Sequence, residues 1–545
     1  MAKFWSERKT IVASDFQEDA LFTLMEETDS NILITGAAGT GKSTLLNNFI
    51  DKTKKNCVVL APTGIAATNV RGQTIHSFFL LPPGIPTKEE INKERFKPLY
   101  ESINTLVIDE ISMVRKDAFE AMDLILRKNK EANKPFGGVQ LIMFGDMYQL
   151  PPVVGDNEKI VLDRKYPGNS YYFFDSESYK DLDLWVIHLN HVYRQSDPIF
   201  IEILNRMQKN KLTSEDLEIL NKKIEVNTDG EDHVILSTRN NVVEEYNQNK
   251  LKLLLGPLFS YDATIKKSAE YGTVRIENTP AAGTLNLKVD ARVMFLINDK
   301  NKQFCNGSLG TVTDLTDKHV NVKLDSNKRT IRVGKHDWEV IKYSYKSKEL
   351  QREILGTVSQ IPLKLAWAIT IHKSQGQTLD KVMIDLKYHP WESGHSYVAF
   401  SRVRSLEGLK LKTCLRKEDI IVDPVIINWE RKLKEEKTSI NESYEMGVSG
   451  LEYEELKEIV DSVNKELEDL GISDMVSFKN SILIKKNLFF SFIKSRIIFL
   501  LGKVKDEKRK NIIIDEGKKN EIILSFKPSV AEWYTNLRKG LDKKN

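Results

Sequence analysis

The sequence predicts an α/β protein in which phosphate-binding layers of strand and helix are joined to a small inserted β-barrel and a C-terminal accessory region. Three observations carry this. A short apolar strand, Asn31 to Ile34, runs directly into Gly36-Ala37-Ala38-Gly39-Thr40-Gly41-Lys42-Ser43-Thr44, after which Leu45, Leu46 and Phe49 continue at helical spacing. A second apolar run, Leu106-Val107-Ile108, ends in the carboxylates Asp109-Glu110. From roughly 255 to 350 the pattern changes to short β-rich runs separated by Asn-Gly, Gly and Asp-rich turns, the spacing of a small barrel.

Length and charge set the frame for these elements. A chain of 545 residues exceeds one hydrophobic core, so roughly three or four domains or subdomains are expected. The formal charge of +4, from 81 basic and 77 acidic residues, excludes a globally polycationic nucleic-acid binder and requires any such surface to be local. Cys57, Cys305 and Cys414 are far apart and lack metal-ligand spacing, which predicts buried thiols, no structural zinc and a reducing compartment. The N-terminal MAKFWSERKTIVASDF has no signal-like apolar core, and no uninterrupted apolar run is long enough to span a bilayer. A soluble, cytoplasmic protein without membrane contact is expected.

The first element with chemistry is the phosphate cradle, assigned to Gly36, Gly39, Thr40, Gly41, Lys42, Ser43 and Thr44. In such a loop successive backbone N–H groups point at phosphate oxygens, Lys42 reaches the β- and γ-phosphates, and the Ser43 hydroxyl ligates Mg²⁺. Asp109 at the next strand end would hold the hydrated magnesium, and Glu110 would orient and deprotonate the attacking water. Gln149, in the Gly145-Asp146-Met147-Tyr148-Gln149-Leu150-Pro151-Pro152 loop, offers an uncharged amide able to bond both the terminal phosphate and the water. Gln17 could read the adenine edge with donor and acceptor, or be an exposed helical glutamine.

These blocks come with APTGIAATNVRGQTIHSF at 61 to 78, DEISMV from Asp109, PFGGVQLIMFGDMYQLPPV from Pro135, LNHVYRQSD at 189 to 197, LAWAITIHKSQGQTL at 365 to 379 and YVAFSRVRS at 397 to 405. Together they resemble the Pif1-like helicases of superfamily 1B over roughly residues 14 to 415. The Pro135-Phe136-Gly137-Gly138 turn, preceded by Asp117 and Arg127, looks like the segment separating that family from RecD-like and Dda-like motors.

The resemblance implies two RecA-like P-loop domains clamping ATP, with an SH3-like inserted barrel. It places Arg194 and Arg402 on the γ-phosphate when the second domain closes, and adds Gly376 to the nucleotide contacts. A single P-loop domain supplies a cradle, so two separated arginines fit a second domain; salt-bridged surface arginines are the alternative. The first domain is expected over 1–184, with a wedge-like excursion or plain solvated loop at 80–100. The second is expected over 185–254 and 351–425, interrupted by the insertion at 255–350, and 426–545 is left as an accessory region.

For nucleic acid, the resemblance points to Pro62, Thr63, Gln73, Thr74 and His76 on the first domain. Thr238, Arg239, Thr370, His372, Lys373 and Ser374 are their counterparts on the second. These groups suit phosphate oxygens without reading sequence. Phe78, Phe79 and Tyr148 would either stack bases or belong to the core. The function implied is an ATP- and Mg²⁺-dependent DNA helicase moving 5′-to-3′ on single-stranded DNA. Forked duplex, RNA–DNA hybrid and G-quadruplex DNA are its implied substrates, in repair, recombination and telomere maintenance. A monomer is expected, nucleoid-associated if the source is bacterial. A RecD-like motor, a protein-stripping translocase and a non-catalytic nucleotide-gated clamp are the rivals.

The tail is less legible. Leu456, Ile459, Val460, Val463, Leu467 and Leu470 share a helical face. The apolar run from Ile482 to Leu501 is interrupted by Lys485, Lys486, Lys494 and Arg496, which suits a buried helix or strand pair better than a membrane anchor.

Overall fold

The computed structural model describes residues 9–12, 18–437 (apart from 83, 93–96, 169, 226–232, 268–273, 300, 302 and 347–348), 443–449, 458, 460–465, 476–478, 482–485, 513–515 and 521–522. Two compact units divide the chain, residues 1–14 with 25–434, and residues 15–24 with 435–545.

The first unit begins with a seven-stranded parallel sheet. Its strands are β1 (Lys9–Val12), β2 (Asn31–Gly36), β3 (Cys57–Ala61), β4 (Gln73–Thr74), β5 (Thr105–Ile108), β6 (Gln140–Gly145) and β7 (Leu184–Leu189). They lie in the order β1-β7-β2-β6-β5-β3-β4. Strands β5 and β6 are buried along their whole length, as expected of parallel strands covered on both faces. Because β2, β6 and β5 are neighbours, the loops leaving their C-terminal ends converge, which is where an open α/β sheet binds its ligand.

Strand β7 corrects one expected boundary. The second domain was to begin near Trp185, yet Leu184–Leu189 pairs in parallel with both β1 and β2. Its apolar run LWVIHL fills the slot beside the P-loop strand, so the first domain extends through Leu189.

A second parallel sheet has the order Ala368–Thr370, Val234–Ser237, Val382–Asp385, Leu409–Leu411. Both are sheets of the RecA-like type. Between the halves of this second sheet lies an antiparallel β-rich region. Five strands run in the order Thr330–Val333, Val320–Leu324, Leu309–Leu315, Arg292–Phe295, Leu363–Leu365. A long hairpin, His336–Lys346 with Glu349–Gln360, pairs with Thr264–Lys267. The antiparallel strands therefore pass the expected limit of 350: the second hairpin arm matches the first and runs to Gln360, and Leu363–Leu365 then pairs with Arg292–Phe295.

This hairpin also reaches the first sheet. The Tyr343 hydroxyl accepts the Val59 N–H at 3.1 Å, and the Tyr343 N–H donates to Gln73 Oε1 at 3.2 Å. In the 80–100 stretch, Leu81, Leu99 and Tyr100 are buried, and Arg115 donates to the Gly84 carbonyl at 2.8 Å. That excursion is pinned to the domain at its described ends.

The thiols depart from expectation. Cys57 is half-buried, whereas Cys305 and Cys414 are exposed. Cys305 occupies a turn, its N–H donating to Ser308 Oγ, and Cys414 follows the end of strand Leu409–Leu411.

The second unit contains a five-stranded antiparallel sheet ordered Val476–Phe478, Ile482–Lys485, Ser443–Ser449, Ile513–Asp515, Glu521–Ile522. Residues 460–465 are helical, with Val460 and Val463 buried. Leu456, Ile459, Leu467, Leu470 and most of the Ile482–Leu501 run lie outside the described residues. No helix among the described residues is long and apolar enough to cross a membrane.

Candidate nucleotide and nucleic-acid site

The P-loop joins β2 to the helix Lys42–Lys52, with Gly39 at φ 84° and Gly41 at φ 86°. Lys42 Nζ donates to the Gly36 and Ala37 carbonyls at 2.7 and 2.9 Å. Burial pulls the Lys42 ammonium down, against the opposing pull of Asp146 and Glu110. Ser43 and Thr44 are exposed at the helix start, where N–H groups and the dipole favour an anion.

At the end of β5, burial pushes the Asp109 carboxyl up to about 7, with the Glu110 charge adding to the effect. Burial likewise raises Glu110, whose backbone adopts the left-handed conformation at φ 50°. Two adjacent carboxyls resisting ionisation make a region that gains from a cation.

Three buried side chains that the sequence reading passed over connect this edge. The Gln149 amide donates to Asp146 Oδ2 at 3.0 Å, and Gln208 donates to Asp146 Oδ1 at 3.3 Å. The Tyr397 hydroxyl donates to Asp146 Oδ2 at 3.1 Å and accepts the Ala38 N–H of the P-loop at 2.9 Å. Asp146 and Tyr397 lay inside blocks already singled out, so their signal was present without a pattern that separates them from core residues.

Gln375 moves from the nucleic-acid block to this cleft. Its amide donates to Glu110 Oε2 at 3.1 Å and to Gln149 Oε1 at 3.3 Å. Gly394 permits the approach of the helix His395–Phe400, since a Cβ there would lie 2.3 Å from the Gln149 carbonyl and its φ is 81°.

The two arginines meet at Ser401. Arg194 Nη1 donates to the Ser401 carbonyl at 3.1 Å, and Arg402 Nη2 donates to Ser401 Oγ at 2.8 Å. Arg194 also lies against the P-loop, where a Cβ on Gly39 would come within 2.5 Å of the Arg194 Cβ. Arg402 is 1% exposed and otherwise bonds only backbone carbonyls, at Val398, Ser374 and Gln377. Burial pulls its guanidinium down to about 9, with Arg194 adding to the effect, and burial also lowers Arg194. Both remain cationic at neutral pH. Among the described residues neither arginine forms an ion pair. Glu110 and Asp146 pull the Arg402 guanidinium the other way without pairing with it, and cations held at a cleft without an ion pair suit an anion.

These geometries set the frame for the comparisons. The family model of the PIF1-like helicases matches residues 14–216. An ATP-dependent DNA helicase Pif1 of Bdellovibrio bacteriovorus is 32% identical over 412 residues, covering 74% of this chain and 89% of that protein. The chain belongs to the PIF1-like helicase family. It is an ATP-dependent DNA helicase by that membership. The zebrafish (Danio rerio) ATP-dependent DNA helicase PIF1 is 36% identical over 389 residues, which cover 70% of this chain and 58% of that one. The crystal structure of a Bacteroides Pif1 with ADP-AlF4 superposes with TM-score 0.71 at 38% identity, over 77% of this chain and 96% of that chain. A Bacteroides Pif1 bound to single-stranded DNA gives TM-score 0.56 at 38% identity, over 78% and 98%.

Within this helicase, the predicted nucleic-acid residues divide into two groups. Gln73 is buried, its amide spent on Ser77 and Tyr343. Thr238, Thr370 and Ser374 are also buried, bonded to the Tyr388 carbonyl, the Lys373 N–H and the Ile371 carbonyl. Thr63 and Thr74 cap short helices. These side chains shape the loops, and Thr63 and Thr74 remain exposed or half-buried at the helix starts. His76, Arg239 and Lys373 are exposed, while Pro62 and His372 are half-buried. Arg239 lies over the Tyr388 ring at 5.3 Å.

Phe78 and Phe79 are core residues, 5.0 Å apart edge to face and packed on Tyr100. Tyr148 is buried with its hydroxyl on Glu430. None of the three offers a ring for base stacking. Gly376 has open space around it at φ 76°, and Gln17 lies outside the described residues. Tyr193, unnoticed in the sequence, is exposed; its N–H donates to the Gly39 carbonyl at 2.8 Å, and its ring lies 3.6 Å from a Cβ built on Gly41.

Proposed function

We propose that this helicase hydrolyses Mg-ATP in the cleft between its two parallel sheets and uses the cycle to move 5′-to-3′ on single-stranded DNA, opening forked duplexes. The observation that carries the reading is that buried Arg402 and half-buried Arg194, neither in an ion pair among the described residues, meet at Ser401, with Arg194 lying against the P-loop. Phosphate oxygens satisfy both cations and Lys42 at once.

In the proposed mechanism Lys42 and the P-loop N–H groups bind the β- and γ-phosphates, and Gln149 positions the attacking water. Ser43 and Asp109 would hold Mg²⁺, which supplies charge neutralisation on the phosphates; the raised Asp109 carboxyl fits such a cation. Glu110 accepts the proton of the water. Arg194 and Arg402 stabilise charge developing on the transferred phosphoryl group, a contribution of ~10³ to 10⁵ in rate for such fingers. Tyr397, bonded to both Asp146 and the P-loop, holds the second domain's helix in register with the nucleotide.

For the track, Arg239, Lys373 and His372 lie at or just beyond the C-terminal ends of the second sheet and supply cations and an imidazole to phosphates. A Bacteroides Pif1 bound to single-stranded DNA and a Pif1 structure described as the basis of DNA unwinding at forked dsDNA by two coordinating helicases support forked DNA as the substrate. RNA–DNA hybrids and G-quadruplexes, and a role in genome maintenance, extend this reading by family. Stopped-flow unwinding of forked DNA with a 5′ or a 3′ single-stranded tail tests it. Unwinding is expected from the 5′-tailed fork; unwinding only from a 3′ tail overturns the polarity, and ATPase without strand separation favours a translocase.

A further inference from the structure

Away from the phosphate cradle, three side chains converge beside the nucleic-acid block. His372 lies in the short helix Ile371–Ser374, and His395 opens the helix His395–Phe400 three residues after Glu392. The three donor atoms all lie within 4.8 Å of one another. Glu392 Oε2 is 3.3 Å from His372 Nε2 and 3.5 Å from His395 Nε2.

Those separations have a physical reading. An ion bound tetrahedrally at ligand distances of roughly 2.0–2.1 Å holds its donors roughly 3.3–3.4 Å apart, so both nitrogen–oxygen edges already match. A purely structural histidine pair would be hydrogen-bonded instead. Yet His395 is fully buried with neither ring nitrogen hydrogen-bonded, and Glu392 Oε2 is also buried and without a hydrogen-bond partner. Such groups cost free energy unless something satisfies them. Trp391 walls one side, its ring 5.0 Å from His395 and 6.3 Å from His372.

We propose that His372, Glu392 and His395 form a binding site for a divalent transition-metal ion, with Zn²⁺ the favoured occupant. Two imidazoles and one carboxylate select zinc, cobalt, nickel or iron over magnesium and calcium, which take oxygen ligands. Three protein ligands leave a coordination position open. His372 is half-buried, so that position has a route to solvent on its side. The ion would tie the segment after Thr370 to the helix that carries Tyr397. Because His395 Nδ1 has no hydrogen-bond acceptor, the outer-shell support that strengthens zinc sites is missing there, and affinity is expected to be moderate.

The test uses the full chain, stripped of metal by chelator and free of nucleotide, titrated with Co²⁺ and then with competing Zn²⁺. One equivalent of Co²⁺ should give visible d–d absorption of low-symmetry nitrogen and oxygen ligation, bleached by one equivalent of Zn²⁺. Glu392→Gln and His395→Gln should each weaken Co²⁺ binding by about ten-fold or more, a loss at least as large as removing an outer-shell partner. Circular dichroism melts of both variants confirm folding, and Glu392→Gln, at a half-buried position, provides the result if His395→Gln does not fold. Absence of a stoichiometric Co²⁺ spectrum in the parent chain overturns the proposal. So does a spectrum that survives unchanged in the folded variants.

Discussion

The cleft at Ser401 and the corner at Pro135–Gly138 treat buried charge in opposite ways. At the corner every buried group has its partner. Asp123 accepts the Phe136 N–H at 2.6 Å, Ser178 Oγ at 2.7 Å and Arg127 Nε at 2.7 Å. Phe136 is fully buried against Phe119, with ring centroids 4.9 Å apart, and Phe136 and Gly137 both take left-handed backbone. A Cβ on Gly137 would lie 2.8 Å from the Leu126 carbonyl. In the cleft, by contrast, Arg402 is as deeply buried but bonds only backbone carbonyls and the Ser401 hydroxyl, with no ion pair among the described residues. Paired charge builds the fold, whereas charge held without an ion pair is available to a ligand. The turn that most strongly suggested the family is thus a packing corner, and the chemistry lies elsewhere.

That contrast can be broken by mutation. The largest effect is expected at Glu110→Gln, which should keep nucleotide and DNA binding while slowing hydrolysis by about 10² to 10⁴-fold; single-turnover ATPase beside a fluorescent-nucleotide binding assay reads both. Hydrolysis at the parental rate would remove the base from the mechanism. At the corner the reverse is expected. Asp123→Ala removes the acceptor of the buried Phe136 N–H, of the Ser178 hydroxyl and of one Arg127 nitrogen and should cost about 3 kcal/mol of local stability. It should lower the melting temperature while ATPase measured well below the melt stays near parental.

A smaller change is expected where the two halves of the cleft are bridged. Gln375→Ala removes hydrogen bonds to Glu110 and Gln149 and should reduce DNA-stimulated ATPase by about ten-fold, the scale of one bond to a charged group. An equal loss in the basal rate would show that Gln375 supports only the fold.

The smallest concerns Lys364, which lines a groove with Asn240, Thr370 and Lys373. Burial, and then the neighbouring Lys373, pull its ammonium down to about 8. As pH rises through about 8 in the folded protein, that positive charge is lost. DNA affinity should weaken and the salt slope should fall by about one. The sign for stability is opposite: between about 8 and 10.5 the unfolded chain holds the extra proton, so stability rises with pH. Lys364→Met should abolish the pH dependence of DNA binding across that window.

Much of the catalytic edge was legible because a P-loop and strand-end carboxylates obey local rules of spacing. Glu110 and Gln149 are bridged by Gln375, and Arg194 and Arg402 meet at Ser401; the roles proposed for them are what the variants above test. What the sequence could not reveal depends on tertiary partners. Gln73 was assigned to nucleic acid, and the Tyr343 hairpin, 270 residues away, takes up its amide oxygen in a buried position. Phe78 and Phe79 face the core because Tyr100 and Tyr343 pack on them. Strand β7 was placed in the wrong domain because a single apolar run carries no information about which sheet receives it. Asp146 and Tyr397 stand in quoted blocks, but their mutual bond spans 251 positions.

The most direct test of the account is Arg402→Gln, measured for DNA-stimulated ATPase and for thermal melting without nucleotide. We expect the rate to fall by ~10³ or more while the melting temperature falls by less than in Asp123→Ala, because Arg402 makes no ion pair among the described residues and removing it leaves no paired carboxylate behind. Parental hydrolysis, or a loss of stability like that of Asp123→Ala, would contradict the claim that the cleft holds its charge for the phosphate.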